Sequence, residues 1–160
     1  MEIRGLTEAD WEAVAAIWAD GMATGNATFE TEVPSWDEFE RTRLPGHRLV
    51  AVDGEVIGWA ALTPTSSRDC YAGVAENSVY VAAAARGRGV GRALLEALLA
   101  GADADGIWMV QTSVFPENEA SLALHVGGGF RVVGRRERIA KLNGVWRDTL
   151  FLERRSPIVS

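Results

Sequence analysis

Four segments of the chain carry apolar residues at the three- and four-residue spacing of an amphipathic helix. The first begins at Thr7, and the second follows Ser35, which has Glu38 three positions later as in a capping box. The third covers residues 90–101 and the fourth is the segment PENEASLALHV. The pattern therefore predicts four helices.

The segments between these helices alternate in polarity or are continuously apolar, as β-strands do. They are EIR at the start, the two runs around Asp53-Gly54, ENSVYVAA, IWMVQTSVF from Ile107, and two final runs joined near Asn143-Gly144. Asp53-Gly54 favours a tight type I′ turn. The predicted element order is β-α-α-β-β-β-α-β-α-β-β.

This order predicts one α/β domain over residues 1–160, built on a mixed sheet with helices on both faces. The β-α-β step from Val79 to Val114 predicts a parallel, right-handed crossover. The strand pairs near the two ends of the chain are predicted to be antiparallel hairpins.

Composition narrows the class of protein further. The chain has 160 residues, 48% of them hydrophobic, and a net charge of −6, which argues against a nucleic-acid binder. Cys70 is the only cysteine, so no internal disulfide forms, and no Cys/His cluster has metal-ligand spacing. The acidic first residues do not resemble a signal peptide, and no apolar run approaches the ~20 residues of a membrane span. We expect a cytoplasmic protein with no membrane partner and no metal.

The stretch RGRGVG, residues 86–91, concentrates glycine and arginine at the start of the third helix. A helix start exposes about four unbonded N–H groups, and glycine lets the backbone approach a ligand, so the stretch predicts a phosphate cradle. The stretch matches neither a Walker A loop nor a G-x-G-x-x-G fingerprint. The candidate cofactor-binding residues here are Arg86, Gly87, Arg88, Gly89, Val90, Gly91 and Arg92.

Two motifs resemble those of the GNAT N-acetyltransferases. RGRGVG matches the R/Q-x-x-G-x-G/A signature, which in that family grips the pyrophosphate of acetyl-CoA. NEASLALHVGGGF, residues 118–130, is similar to the family segment N-x-x-A-x-x-L-Y-x-x-x-G-F, with Ser121 for the alanine and His125 for the tyrosine. The resemblance implies a GNAT-like, mostly antiparallel sheet and acetyl-CoA as the acetyl donor.

A closer resemblance, to the phosphinothricin and methionine-sulfoximine acetyltransferases, spans nearly the whole chain. SRDCYAGVAENSVYV, NATFETEVPSWDEF and NGVWRD are similar to stretches of that branch. The residues in register within the first stretch are Arg68, Tyr71, Glu76, Val79, Tyr80 and Val81. This resemblance implies a homodimer that acetylates a small amino acid or analogue. Gly127-Gly128 departs from it and predicts that the fourth helix ends early, near His125.

The resemblance also implies roles for individual residues. Glu76 is the expected general base, since the attacking amine must be neutral; its other interpretation is a solvated acid at a strand end. His125 either donates a proton to the departing thiolate or only forms hydrogen bonds. Val79, Tyr80 and Val81 are cofactor-binding candidates, and a backbone N–H of this strand segment is expected to stabilise the oxyanion.

The remaining candidates contact either acetyl-CoA or the amine substrate. Asn118 and Ser121 are expected to touch the CoA arm, although an N-cap and a small packing residue explain them equally well. Arg68 is expected to pair with a substrate carboxylate and Tyr71 to wall the pocket. The other substrate candidates are Phe29, Lys141 and Trp146.

Two further functions fit the same sequence. One is an acetyltransferase for another amine, such as a peptide N-terminus. The other is a binding module that keeps the acyl-CoA cradle without catalysis.

Overall fold

The computed structural model describes all 160 residues and has the predicted order of elements. The strands are β1 (Glu2–Gly5), β2 (Arg48–Asp53), β3 (Glu55–Pro64), β4 (Val74–Val81), β5 (Met109–Val114), β6 (Arg131–Leu142) and β7 (Val145–Arg155). The helices are α1 (Trp11–Ala23), α2 (Trp36–Thr42), α3 (Val90–Ala104) and α4 (Glu119–Gly127). None of these helices is both long enough and apolar enough to cross a membrane.

The seven strands form one sheet in the order β1-β2-β3-β4-β5-β7-β6. Every neighbouring pair is antiparallel except β4 and β5, which are parallel and connected through α3. The predicted mixed, mostly antiparallel sheet is therefore confirmed.

Helices cover both faces of this sheet because alternate strand residues point to opposite sides. On β3, Trp59 and Ala61 join an apolar cluster with α1 and α2, whereas Ala60 and Leu62 join a second cluster with α3. Leu122 and Leu124 of α4 pack against that second cluster.

Strands β4 and β5 diverge, and this divergence creates the site. They pair only over three residues, from Val74 with Met109 to Glu76 with Gln111. Beyond these pairs, β4 continues along β3 and β5 continues along β7. The two inner strands therefore part from each other in the middle of the sheet.

Two local predictions differ from the structure. A type I′ turn requires positive φ at both central residues, but here only Gly54 has it (φ 74°) and Asp53 does not. The short connection is instead accompanied by a register shift between β2 and β3 after Ala51. Helix α4 also does not stop near His125 but continues to Gly127, since a glycine at a helix end is tolerated and Gly128 closes the last turn.

Candidate active site

A cleft of about 970 Å³ opens where β4 and β5 diverge. Its walls are β4, the start of α3, the segment from the end of β5 to α4, and the loop between α1 and α2. The sequence candidates that line it are Phe29, Glu76, Val79, Tyr80, Val81, Arg86, Gly87, Gly89, Val90, Gly91, Arg92, Asn118, Ser121 and His125.

The glycine-arginine turn presents a row of free donors at one end of this cleft. Gly87 and Gly89 have positive φ (74° and 79°), a conformation that favours glycine. The six backbone N–H groups of residues 87–92 donate to no protein acceptor. Consecutive free N–H groups at a helix start form an anion-binding concavity, and this one fits a phosphate.

The arginines of the turn differ in whether they form ion pairs with other side chains. Arg88 pairs with Asp53 at 2.9 Å and does not line the cleft, and Arg92 pairs with Glu96 on the helix surface at 2.8 Å. Arg86 lines the cleft and has no ion pair. Arg86 is thus the arginine that is free to meet an anionic ligand.

The parted edge of β4 supplies backbone hydrogen-bonding groups to the middle of the cleft. The Ala82 N–H donates to the Ile57 oxygen at 2.8 Å, on the β3 side. Because these groups alternate along an antiparallel strand, those of Val79 and Val81 face away from β3, toward the gap. An extended ligand with amide groups can pair with this edge.

Glu76 is the last β4 residue that pairs with β5, and its side chain opens into the cleft. The register of β4 with β3 is unbroken, so Glu76 shares a face with Tyr80. Partial desolvation by the surrounding protein raises the pKa of Glu76, and the charge of Glu30 raises it further. Arg136 and Arg43 act in the opposite direction.

His125 is buried, and both of its ring nitrogens are engaged. Nδ1 lies 2.7 Å from the Ser121 carbonyl oxygen, which can only accept, so Nδ1 carries the proton. Nε2 then accepts from Nδ2 of Asn77 at 3.0 Å. Burial lowers the pKa of His125, which is consistent with a neutral ring.

Asn77 is a site residue that the sequence analysis missed. It is only 4% exposed, and its Oδ1 accepts no hydrogen bond from the protein. A buried acceptor without a partner suits a ligand that brings an N–H or S–H donor into the cleft. The available signal was its spacing, because Asn77 lies two residues from both Ala75 and Val79 and so shares their inward face of β4.

Asn118 and Ser121 lie beside this group. Asn118 caps α4, since its Oδ1 accepts from the Ser121 N–H at 3.1 Å, and its Nδ2 donates to the Asn26 oxygen at 3.0 Å. The Ser121 hydroxyl lies 3.3 Å from Nδ1 of His125. The N-cap interpretation of Asn118 thus describes its contacts in this chain.

Of the substrate candidates, only Phe29 lines the cleft, where its ring packs edge-on against Phe115. Arg68 stacks over Tyr71, with 5.4 Å from Cζ to the ring centroid. Tyr71 lines a smaller neighbouring cavity of about 500 Å³. That cavity includes Gln111, which is the β5 partner of Glu76.

The last two substrate candidates lie on the β6–β7 hairpin, outside both cavities. Nζ of Lys141 stands 4.9 Å from the centre of the Trp146 ring, and that ring is exposed. A single chain does not bring this pair to Glu76.

Comparisons with known proteins support the same interpretation. Residues 11–130 match the model of the acetyltransferase (GNAT) family. The chain is 35% identical to a phosphinothricin N-acetyltransferase of Alcaligenes faecalis, over 95% of this chain and 81% of that one. It is 34% identical to an L-methionine sulfoximine/L-methionine sulfone acetyltransferase of Pseudomonas paraeruginosa, over 94% and 92%.

Two solved structures share the whole architecture. A phosphinothricin acetyltransferase from Sinorhizobium meliloti, in complex with AcCoA, superposes with a TM-score of 0.86 at 31% identity, covering 96% of this chain and 87% of that one. A ribosomal-protein-alanine N-acetyltransferase from Brucella melitensis gives a TM-score of 0.88 at 32% identity, covering 98% and 100%. These matches agree with the motifs and the diverging strands, and they show that the chain belongs to the acetyltransferase (GNAT) family and is an acetyl-CoA-dependent N-acetyltransferase.

Proposed function

We propose that this enzyme acetylates the amine of a small amino acid or analogue, of the phosphinothricin or methionine sulfoximine/sulfone type, by direct attack of the amine. The observation that carries this proposal is the position of Glu76. It stands where β4 and β5 part, it lines the cleft with the anion cradle, and its strand partner Gln111 lines the cavity that contains Tyr71. The relatives that act on such substrates match along nearly the whole chain.

Glu76 acts as the general base in this proposal. The reference pKa of an α-amine in a peptide is about 8, so such an amine is mostly protonated near neutral pH and a proton must leave before attack. Because the pKa of Glu76 is raised, it lies closer to the pKa of the amine, and the carboxylate is a better proton acceptor. Acetyl-CoA supplies the activated acetyl group when bound.

The free backbone N–H groups around the cleft have two roles, which are cofactor binding and stabilisation of the oxyanion. Those of residues 87–92 hold a phosphate, and those at Val79 and Val81 stabilise the negative charge that forms on the carbonyl oxygen. His125 acts as a neutral hydrogen-bonding bridge to Asn77 rather than as an acid, because its proton is already donated to a backbone carbonyl.

Arg68 and Tyr71 bind the substrate carboxylate and its carbon chain in the adjoining cavity. We propose a homodimer as well, since the exposed Trp146 on the β6–β7 hairpin suits contact with a second copy. Light scattering tests this directly, and a monomer at micromolar concentration would contradict it.

The decisive experiment measures free CoA with DTNB in the presence of acetyl-CoA and a panel of amines. The panel contains phosphinothricin, methionine sulfoximine and methionine sulfone, and a peptide with N-terminal alanine. We expect turnover on the amino-acid analogues. Turnover on the peptide alone would instead favour protein N-terminal acetylation, the activity that the Brucella relative suggests. Acetyl-CoA binding with no turnover on any of the amino-acid analogues would refute the proposed substrate class.

A variant separates the role of Glu76 from general damage to the cleft. Glu76→Gln should lower kcat by about 10²–10⁴, the range for a general base, with little change in acetyl-CoA affinity. An equal loss in both would contradict the assignment.

A further inference from the structure

The α1–α2 loop, residues 24–35, lies across one side of the cleft. It leaves α1 on one face of the sheet, and its residues Phe29 and Glu30 line the cleft. Glu30 is close enough to Glu76 for its charge to raise the pKa of that carboxyl. The position of this loop therefore matters to the proposed base.

One arginine of β7 fixes the loop from the far side of the cleft. Nη1 of Arg147 donates to the Gly25 oxygen at 2.8 Å, and Nη2 donates to Oδ1 of Asn26 at 2.7 Å. Nη2 also lies 3.3 Å from a carboxylate oxygen of Glu117. The side chain of Arg147 is only 16% exposed. Its planar fork thus joins the loop to the segment before α4.

Two further contacts follow the same path. The Arg147 guanidinium stacks on the ring of Phe115 at 4.2 Å, and that ring packs against Phe29 of the loop at 4.9 Å. Asn118 donates to the Asn26 oxygen at 3.0 Å. The loop is therefore held by both polar and aromatic contacts, and Arg147 takes part in both kinds.

We propose that Arg147 is a positioning residue, which holds the α1–α2 loop so that Glu30 stays beside Glu76 and Phe29 stays in the cleft. Nothing in the chemistry requires Arg147 to touch the substrate. The inference rests on the proposed base role of Glu76 only for its kinetic consequence, since the position of the loop can be measured without turnover.

The charges that face Glu76 fix the sign of the expected effect. They are Glu30 from the loop, Arg136 from β6 and Arg43 after α2. Release of the loop removes the carboxylate of Glu30, so the pKa of Glu76 falls and the base stays ionised at lower pH. Simple removal of a cation near the site would act in the opposite direction, which makes the two explanations distinguishable.

The experiment compares Arg147→Ala with Arg135→Ala, a matched control on the same hairpin whose side chain pairs with Asp148 outside the cleft. A Glu-specific endoprotease probes the loop at Glu30 and Glu32. Mass spectrometry should show faster cleavage there in the Arg147 variant only. If Arg147→Ala does not fold, Arg147→Lys keeps the charge without the two-pronged geometry and should still cleave faster.

The kinetic arm measures kcat/KM against pH. Arg147→Ala should lower the maximum by about 10- to 100-fold, as misplaced groups do, and move the acid limb to lower pH. Glu30→Gln should move the limb in the same direction with the loop intact, and the double variant should move it no further than Glu30→Gln alone.

A direct titration of Glu76 by carbon NMR separates this inference from the proposed function. A lower pKa in Arg147→Ala supports the inference even if Glu76→Gln proves active. Unchanged loop cleavage, an unchanged or raised Glu76 pKa, or additive shifts in the double variant would each overturn it.

Discussion

Replacement of His125 by phenylalanine tests whether this residue is a bridge or an acid. The phenyl ring keeps the edge contact with Phe130, whose centroid lies 5.0 Å away at 88°. It removes the proton donated to Ser121 and the nitrogen that accepts from Asn77. Shape is thereby nearly conserved while both hydrogen bonds are lost.

The expected loss of stability follows from what remains behind. Asn77 is 4% exposed and its Oδ1 already lacks a partner, so its amide loses the last protein hydrogen bond. A buried polar group without a partner costs about 1–3 kcal/mol, and the lost bond to Ser121 adds about 1 kcal/mol. We therefore expect His125→Phe to lower the free energy of unfolding by about 2–4 kcal/mol.

Asn77→Leu removes the amide that His125→Phe leaves without a hydrogen bond, and it completes a double-mutant cycle. Replacement of both partners by apolar groups can be nearly neutral, so the double variant should recover about 1–3 kcal/mol relative to the sum of the single effects. Urea unfolding of the four proteins measures this coupling.

The activity of the double variant then separates the two roles. A bridge predicts that kcat stays within about tenfold at saturating acetyl-CoA, whereas loss of a general acid would cost about 10²–10⁴. Additive stability effects would refute the bridge, and a loss of a hundredfold or more would show that His125 takes part in proton transfer.

Three other changes have expected outcomes that follow from local geometry. Gly91→Ala should be tolerated and Gly91→Phe should abolish acetyl-CoA binding by calorimetry, because a Cβ there meets its neighbours at an ordinary 3.5 Å while a larger ring extends into the cleft. Gly21→Ala should lower unfolding stability by about 1–3 kcal/mol and disturb the cleft, since its Cβ would lie 2.6 Å from the Tyr80 ring. Asp10 has a pKa of about 2, below 3.8, chiefly through its bonds to Arg4. The Asp10 carboxylate therefore adds stability above pH 3.8, on the order of 2 kcal/mol, and this stability is lost as pH falls through about 2. Acid unfolding of the parent protein and of Asp10→Asn checks this, because the variant should lack the loss of stability in that pH range.

The sequence predicted the order of strands and helices because each element has a clear local pattern. Ser35 accepts from the Glu38 N–H as a cap should, and Asn143-Gly144 has the two positive φ values of a type I′ turn. The prediction of the same turn at Asp53-Gly54 was wrong because a bulge in the pairing of β2 with β3 fixes that connection. Pairing between strands is not visible in a dipeptide.

The free donors of the glycine-arginine turn were equally visible, because they lie in consecutive backbone groups. Asn77 and Arg147 were not, since their partners stand 48 and 121–122 residues away in the chain. The sequence also grouped Lys141 and Trp146 with the substrate; within one chain they stack on each other on an exposed hairpin, and their contact with substrate stays a prediction. Short motifs identify residue types but do not determine which side of the sheet they meet.

The parting of β4 and β5 gives this sheet two unpaired edges in its interior instead of at its rim. Unpaired strand edges normally attract other chains and promote aggregation. Here α1 and the α1–α2 loop on one side and α4 on the other flank the edges, so a flat strand from another protein is hindered. A slender, extended molecule with amide groups can still enter, and by pairing with both edges it would join two half-sheets that share only three residue pairs. Acetyl-CoA should therefore raise the melting temperature of the protein as well as react in it.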